Sequence, residues 1–281
     1  SRGLGDVYKR QVYVGGGTPT SLSEEQFERL MAMTEKYLPM EQSKEFTVEA
    51  GRPDSITEGK LRSMKIHGVT RISINPQSMK EHTLELLGRK HTVEEIREKF
   101  MLARTLGFDN INMDLIAGLP EETLEDFKET LREVEALKPD SITVHTLVIK
   151  RASRLRKEQL EQGGEMREED ACIEPMQKEA EQFCRVHGYE PYYMYRQKNK
   201  AHTTRNTNQE NVAYAKPGKE CLYNIFIMEE LQSILALGSG GSSKIVFPEE
   251  NRMERVENVK SVDDYIGRID EMIRRKKESW R

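Results

Sequence analysis

The chain of 281 residues is 36% hydrophobic and 33% charged, with a formal net charge of −4 from 44 basic and 48 acidic side chains. That length suits one large domain, or one with an appendage, and the small mixed charge builds no field that would collect nucleic acid or an acidic membrane. Cys172, Cys184 and Cys221 are too few for a disulfide framework and too widely spaced for a CxxC-type metal site, which points to a reducing, cytoplasmic compartment.

No apolar run reaches the ~18 to 20 residues of a membrane helix, and the start lacks the charged-then-apolar layout of a signal peptide. Residues 1–11, SRGLGDVYKRQ, begin without Met and show no apolar period before VYV, so they read as a non-native leader. From Val12 to Lys150 runs rich in β-branched residues alternate with amphipathic helices, the pattern of a parallel α/β sheet or barrel. Five strands are predicted: 12–14, 45–51, 71–78, 111–118 and 141–149.

The helices between them carry their own punctuation. Ser23 with Gln26 and Thr92 with Glu95 fit the capping box, in which hydroxyl and N3 side chain satisfy orphan amides at a helix start. Phe27, Leu30 and Met31 follow the first, and Ile96, Phe100, Ala103 and Leu106 the second, with Gly107 as the stop. Thr123 opens a third helix whose stripe is Phe127, Leu131, Val134 and Leu137, ended by Pro139. These stripes are expected to face the core.

Beyond Lys150 the rhythm breaks into the charged RASRLRKEQLEQGGEMREED, so a boundary is placed at 150/151. A helix carrying Pro175, the segment EPYYMYRQ (190–197), a polar stretch at 198–211, an apolar stretch from Leu222 and a last helix over 262–277 complete the chain.

In such an array the functional face lies at the C-terminal ends of the strands. The first strand ends in Gly15-Gly16-Gly17-Thr18-Pro19-Thr20, which lacks the Gly-Lys-Ser/Thr of a P-loop and serves either as a tight turn or as a close backbone approach to a ligand. Glu49 and Gln77 end the second and third strands, and Asp114 interrupts the apolar fourth. A carboxylate on a buried parallel strand needs a donor, whether a ligand amine or hydroxyl or an internal arginine such as Arg71 or Arg89.

GGGTPT, RIS followed by PQS, LLGRKH at 86–91 and NINMDLIAGLPEET together resemble the radical S-adenosylmethionine enzymes, and among them the oxygen-independent coproporphyrinogen III dehydrogenase group; EAGRPDS at 49–55 and YAKPGKECLYNIFIMEELQSILALGSGGSS at 214–243 resemble most a branch of it from anaerobic or facultative Gram-positive bacteria. The resemblance implies a partial (β/α) barrel over 12–150 and a substrate-covering, mostly helical α+β region over 151–281. It implies that Gly15, Gly16, Gly17 and Thr18 receive the amino and carboxylate end of S-adenosylmethionine. Glu49 would sit beside the methionine moiety, Gln77 and Asp114 would bond the ribose, and Arg89 would contact the cofactor.

Such enzymes hold a [4Fe-4S] cluster on a CxxxCxxC loop after the first barrel strand. That loop is absent from this chain, which is therefore read as lacking the family's first strand and as inactive by itself. The wider family's His-Asn is Tyr223-Asn224 here, and no metal ligands are assigned. For the intact parent the resemblance implies reductive cleavage of S-adenosylmethionine to a 5′-deoxyadenosyl radical and oxidative decarboxylation of coproporphyrinogen III to protoporphyrinogen IX in haem biosynthesis. Flavodoxin or ferredoxin would be the electron donor. The alternative is a haem chaperone on the same scaffold, with haem as the ligand.

Overall fold

A computed structural model describes residues 11–146, 168–196 and 210–280. Residues 1–10 of the predicted leader 1–11, the end of the fifth predicted strand, the predicted 150/151 boundary and most of the polar stretch lie outside them, while Gln11 of that leader lies in the first strand. The described chain falls into two compact units, divided between Cys221 and Leu222.

The larger unit is built on a seven-stranded half-barrel sheet in the order β1-β2-β3-β4-β5-β7-β6. Strands β1 (Gln11–Val14), β2 (Glu45–Gly51), β3 (Arg71–Gln77), β4 (Ile111–Ala117) and β5 (Ser141–Thr146) run parallel. All five predicted strands are present, the first starting one residue early at Gln11. Strands β6 (Glu190–Arg196) and β7 (Glu210–Ala215) extend the sheet, β7 lying antiparallel to both β5 and β6. The region after 150 thus adds strands to the barrel sheet as well as helices, with β7 beginning in the last two residues of the polar stretch and running on through Val212 to Ala215.

Helices α1 (Glu24–Tyr37), α2 (Glu58–Ile66), α3 (Glu81–Leu86), α4 (Val93–Thr105) and α5 (Leu124–Leu137) connect the parallel strands, and α6 (Glu168–Val186) precedes β6. Both predicted capping boxes form, and Thr123 makes a third with Asp126. Gly107 ends α4 at φ +85°, and Lys138 ends α5 in the left-handed region before Pro139. Phe27, Met31, Ile96, Phe100, Phe127 and Val134 are buried at 0 to 1% exposure against Phe46, Ile72, Met113 and Ile142 of the strands. Burying side chains of this size contributes ~1.5 to 3 kcal/mol each, so the stripes anchor the helices to the sheet.

The face of the sheet away from these helices is polar. Asn112 accepts hydrogen bonds from Ser141 (2.9 Å) and Thr143 (3.1 Å) and donates to Ser73 (3.0 Å) and Asp114 (2.6 Å). At its floor the Arg71 guanidinium, 3% exposed, donates to Ser141 at 3.1 Å. Period-2 alternation therefore separates an apolar helix side from a hydrogen-bonding lumen.

The smaller unit contains α7 (Leu222–Met228), an antiparallel hairpin of β8 (Ser242–Phe247) and β9 (Arg252–Glu257), and α8 (Val262–Gly267) followed by α9 (Ile269–Ser279). The last predicted helix is thus two helices, broken at Gly267-Arg268. Glycine costs about 1 kcal/mol in a helix interior, which makes it the natural point of interruption. Among the described residues no helix is long and apolar enough to cross a membrane.

Candidate functional site

The glycine turn is fitted to Glu49. A Cβ on Gly15 would stand 2.6 Å from the Tyr13 ring and 2.7 Å from the Glu49 carboxyl carbon, so only glycine lets the chain pass there. Gly16 adopts φ +88°, and its amide donates to Glu49 Oε2 at 3.3 Å. The Tyr13 hydroxyl donates to the other oxygen at 2.5 Å. Burial and then the Glu49 charge push the Tyr13 phenol far above its ordinary range, so it remains a donor.

The turn is tied down behind. Thr20 donates to the Ala50 carbonyl and shares a 2.6 Å hydrogen bond with Ser55, while buried Lys60 donates to the carbonyls of Thr20 (2.6 Å) and Ser55 (3.0 Å). Gly51, at φ +70°, leaves just enough room for Thr18, whose Cγ2 would lie 3.0 Å from a Cβ there.

Gln77 ends β3 at φ +70°, a left-handed conformation that costs a non-glycine residue roughly 1 to 3 kcal/mol and occurs where the surroundings enforce it. Here Ser78 donates to buried Glu122, and the Met79 amide donates to Thr130 at 3.2 Å. Register sets Gln77 opposite Leu115, beside Asp114 on the next strand.

Asp114, 19% exposed, accepts from Asn112 and lies 3.7 Å from His145 Nε2. Burial would raise its carboxyl, but His145, Asn112 and Arg71 outweigh it and hold the carboxyl below the ordinary range. For His145 burial acts to lower the imidazole, and Asp114 with Glu49 outweighs it and raises it. That Glu49 on β2 acts on His145 on β5 follows from the curl of the sheet toward the lumen.

The guanidinium of Arg89, half-buried after α3, makes no hydrogen bond or ion pair among the described residues. Burial and neighbouring Arg52 lower its affinity for its proton, while Asp54 opposes this. Arg52 itself is paired with Asp54 at 2.5 Å, so Arg89 is the guanidinium left open to an anion.

The structure thus joins Gly15, Gly16 and Glu49 by direct contact, Gln77 and Asp114 by register, and Arg89 to the Arg52–Asp54 pair. Sequence reading missed Tyr13, Asn112 and His145. Their inward alternation with Glu49 and Asp114 was the available signal, but it needed the strand register to be read.

The donor set fits S-adenosylmethionine: acceptors for an ammonium and ribose hydroxyls, and an open cation for a carboxylate. It does not fit an iron–sulfur cluster. Burial pushes the Cys184 thiol up to about 12, Cys221 is buried beside Glu45, and no group of three metal-ligating residues occurs among the described residues. Cluster binding needs three accessible thiolates.

The parallel half-barrel carries polar side chains at successive strand ends, and residues 2–134, which contain its first four strands, are a radical SAM superfamily domain. The chain is 44% identical over 266 residues to the oxygen-independent coproporphyrinogen-III oxidase-like protein HemZ of Bacillus subtilis, covering 94% of this chain and 52% of that protein. It is 38% identical over 141 residues to the heme chaperone HemW of the same organism, covering 50% of this chain and 37% of that one. The chain therefore spans about half the length of the curated relatives it matches. The coproporphyrinogen III oxidase of Escherichia coli shares its fold, with a TM-score of 0.69 at 22% identity over 93% of this chain and 57% of that structure.

Proposed function

We propose that this chain is the S-adenosylmethionine-binding part of an oxidoreductase that converts coproporphyrinogen III to protoporphyrinogen IX by oxidative decarboxylation. The observation that carries the reading is the Glu49 carboxylate, clamped between Tyr13 and the Gly16 amide at the head of a lumen whose other rim groups are Gln77 and Asp114. In this reading Glu49 and the Gly15–Thr18 turn hold the methionine ammonium and Arg89 its carboxylate. Gln77 and the ionised Asp114 accept the ribose hydroxyls. Bound S-adenosylmethionine would supply hydrogen-abstraction chemistry, and the thiolates for a [4Fe-4S] cluster would have to come from residues other than these 281. The lumen orients the porphyrinogen and keeps water from the reacting carbon. Flavodoxin or ferredoxin is the proposed reductant.

The second reading, a haem-binding chaperone, is favoured by the identity to the Bacillus heme chaperone, which covers half the chain. The parent protein, expressed with its upstream reading frame and reconstituted anaerobically, separates the two. Protoporphyrinogen formation dependent on S-adenosylmethionine supports the oxidase, and stoichiometric haem binding without turnover supports the chaperone. Turnover by the 281-residue chain alone would refute the assignment of the cluster ligands to residues outside it.

A further inference from the structure

The lumen rim is dominated by acceptors. Glu49 and Asp114 line it, and a ligand carrying several carboxylates would meet repulsion from the two acids. Arg71 is 3% exposed at the floor and spends a donor on Ser141, and Arg89 is assigned to the cofactor. His145 is different. It sits on the lumen face of β5, its side chain 35% exposed, with Nε2 3.7 Å from Asp114 in an ion-pair contact, and no hydrogen bond to its ring is formed within 3.5 Å among the described residues.

We propose that His145 is a substrate-binding residue that anchors a carboxylate of the lumen ligand through its Nδ1–H, with Asp114 orienting the ring from the opposite nitrogen. The proposal rests on the tetrapyrrole reading above and deepens it, since coproporphyrin-type ligands carry four propionates. Burial disfavours the imidazolium, but Asp114 and Glu49 outweigh it and bias the ring toward that form, at a depth a ligand can reach. The groups that face His145 are Asp114 from β4 and Glu49 from β2. On its other flank β7 offers the neutral Asn211, which accepts from the Thr146 amide at 3.2 Å, and α6 the neutral Gln177, which donates to the Thr146 hydroxyl at 2.9 Å. Charge at this spot is therefore set by the two acids.

The test titrates the chain with coproporphyrin III, the air-stable oxidised form of the proposed substrate, and with its tetramethyl ester. Coproporphyrin III is expected to bind more weakly as pH rises through the imidazole's titration. His145→Gln should weaken binding by about tenfold at pH 6 and abolish that pH dependence, while His145→Lys should restore affinity and carry it to higher pH. The ester should bind the native chain and His145→Gln alike. Unchanged affinity and pH profile in His145→Gln would overturn the proposal.

A second measurement separates this from failure of the tetrapyrrole reading. Sodium propionate should shift the His145 ring-nitrogen resonances in the native chain. A propionate response without porphyrin binding would remove the tetrapyrrole reading and leave the carboxylate site standing; absence of both would overturn the site.

Discussion

The Tyr13 hydroxyl donates to Glu49 Oε1 at 2.5 Å, across the register that pairs β1 with β2. This bond and the Gly16 amide each occupy one lone pair, one on each carboxylate oxygen, so each oxygen keeps a further lone pair for another donor. The arrangement fixes the position of a charge that would otherwise swing on a flexible side chain, and it does so with a donor that burial keeps protonated.

Removing that donor tests its role. Tyr13→Phe keeps the ring and its packing, so the loss of stability should be about 1.5 to 3 kcal/mol, the net worth of one hydrogen bond to a charged group. Affinity of the chain for S-adenosylmethionine should fall several-fold, because Glu49 no longer has one geometry. Urea unfolding and isothermal titration measure the two effects; a binding change no larger than that of a distant surface variant would contradict the clamp.

The three turn glycines should not be equivalent. Gly15→Ala forces a methyl against both Tyr13 and Glu49, and overpacking of this kind costs about 1 to 3 kcal/mol. Gly17→Ala meets open space at a φ that is not left-handed, so its effect on stability should stay within roughly 0.5 kcal/mol. Thermal melts of the two variants side by side, with S-adenosylmethionine titrations, check this ordering.

Glu122 gives a prediction in pH. Burial raises its carboxyl above the ordinary 4.5, while hydrogen bonds from Ser78 and Thr83 act to lower it. The folded state therefore holds the proton more tightly than the unfolded chain. The contribution of Glu122 to stability should fall as pH rises from about 4.5 through the folded value and then level off. Glu122→Gln keeps an acceptor for Ser78 without the charge, so it should flatten this part of the profile and equal or exceed the native stability at pH 7. Glu122→Ala should instead destabilise the chain and loosen the strained turn at Gln77. Denaturant midpoints between pH 4.5 and 8 distinguish these outcomes.

The positions of the five parallel strands, the three helix starts and the core stripes could be read in advance because each rests on local chemistry. A Ser-x-x-Gln or Thr-x-x-Glu cap and an apolar repeat act within a few residues and need no partner from elsewhere. β7 and the break at Gly267 escaped, the first because its strand is stabilised by pairing with β5 and β6 more than by its own composition. In the site, the glycine turn, Glu49, Gln77, Arg89 and Asp114 stood out in the sequence as polar or flexible residues at strand ends.

What the tertiary structure alone decided was their partners. Sequence offered Arg71 and Arg89 as internal counter-ions for Asp114, yet it is His145 and Asn112 that lie beside it, with Arg71 acting from the floor. The pairing depends on parallel register and on the curl of the sheet, which bring residues 31 apart in the chain to within 3.7 Å. Local sequence carries the propensity of each strand but not the alignment of one strand with the next, and alignment determines which charges meet.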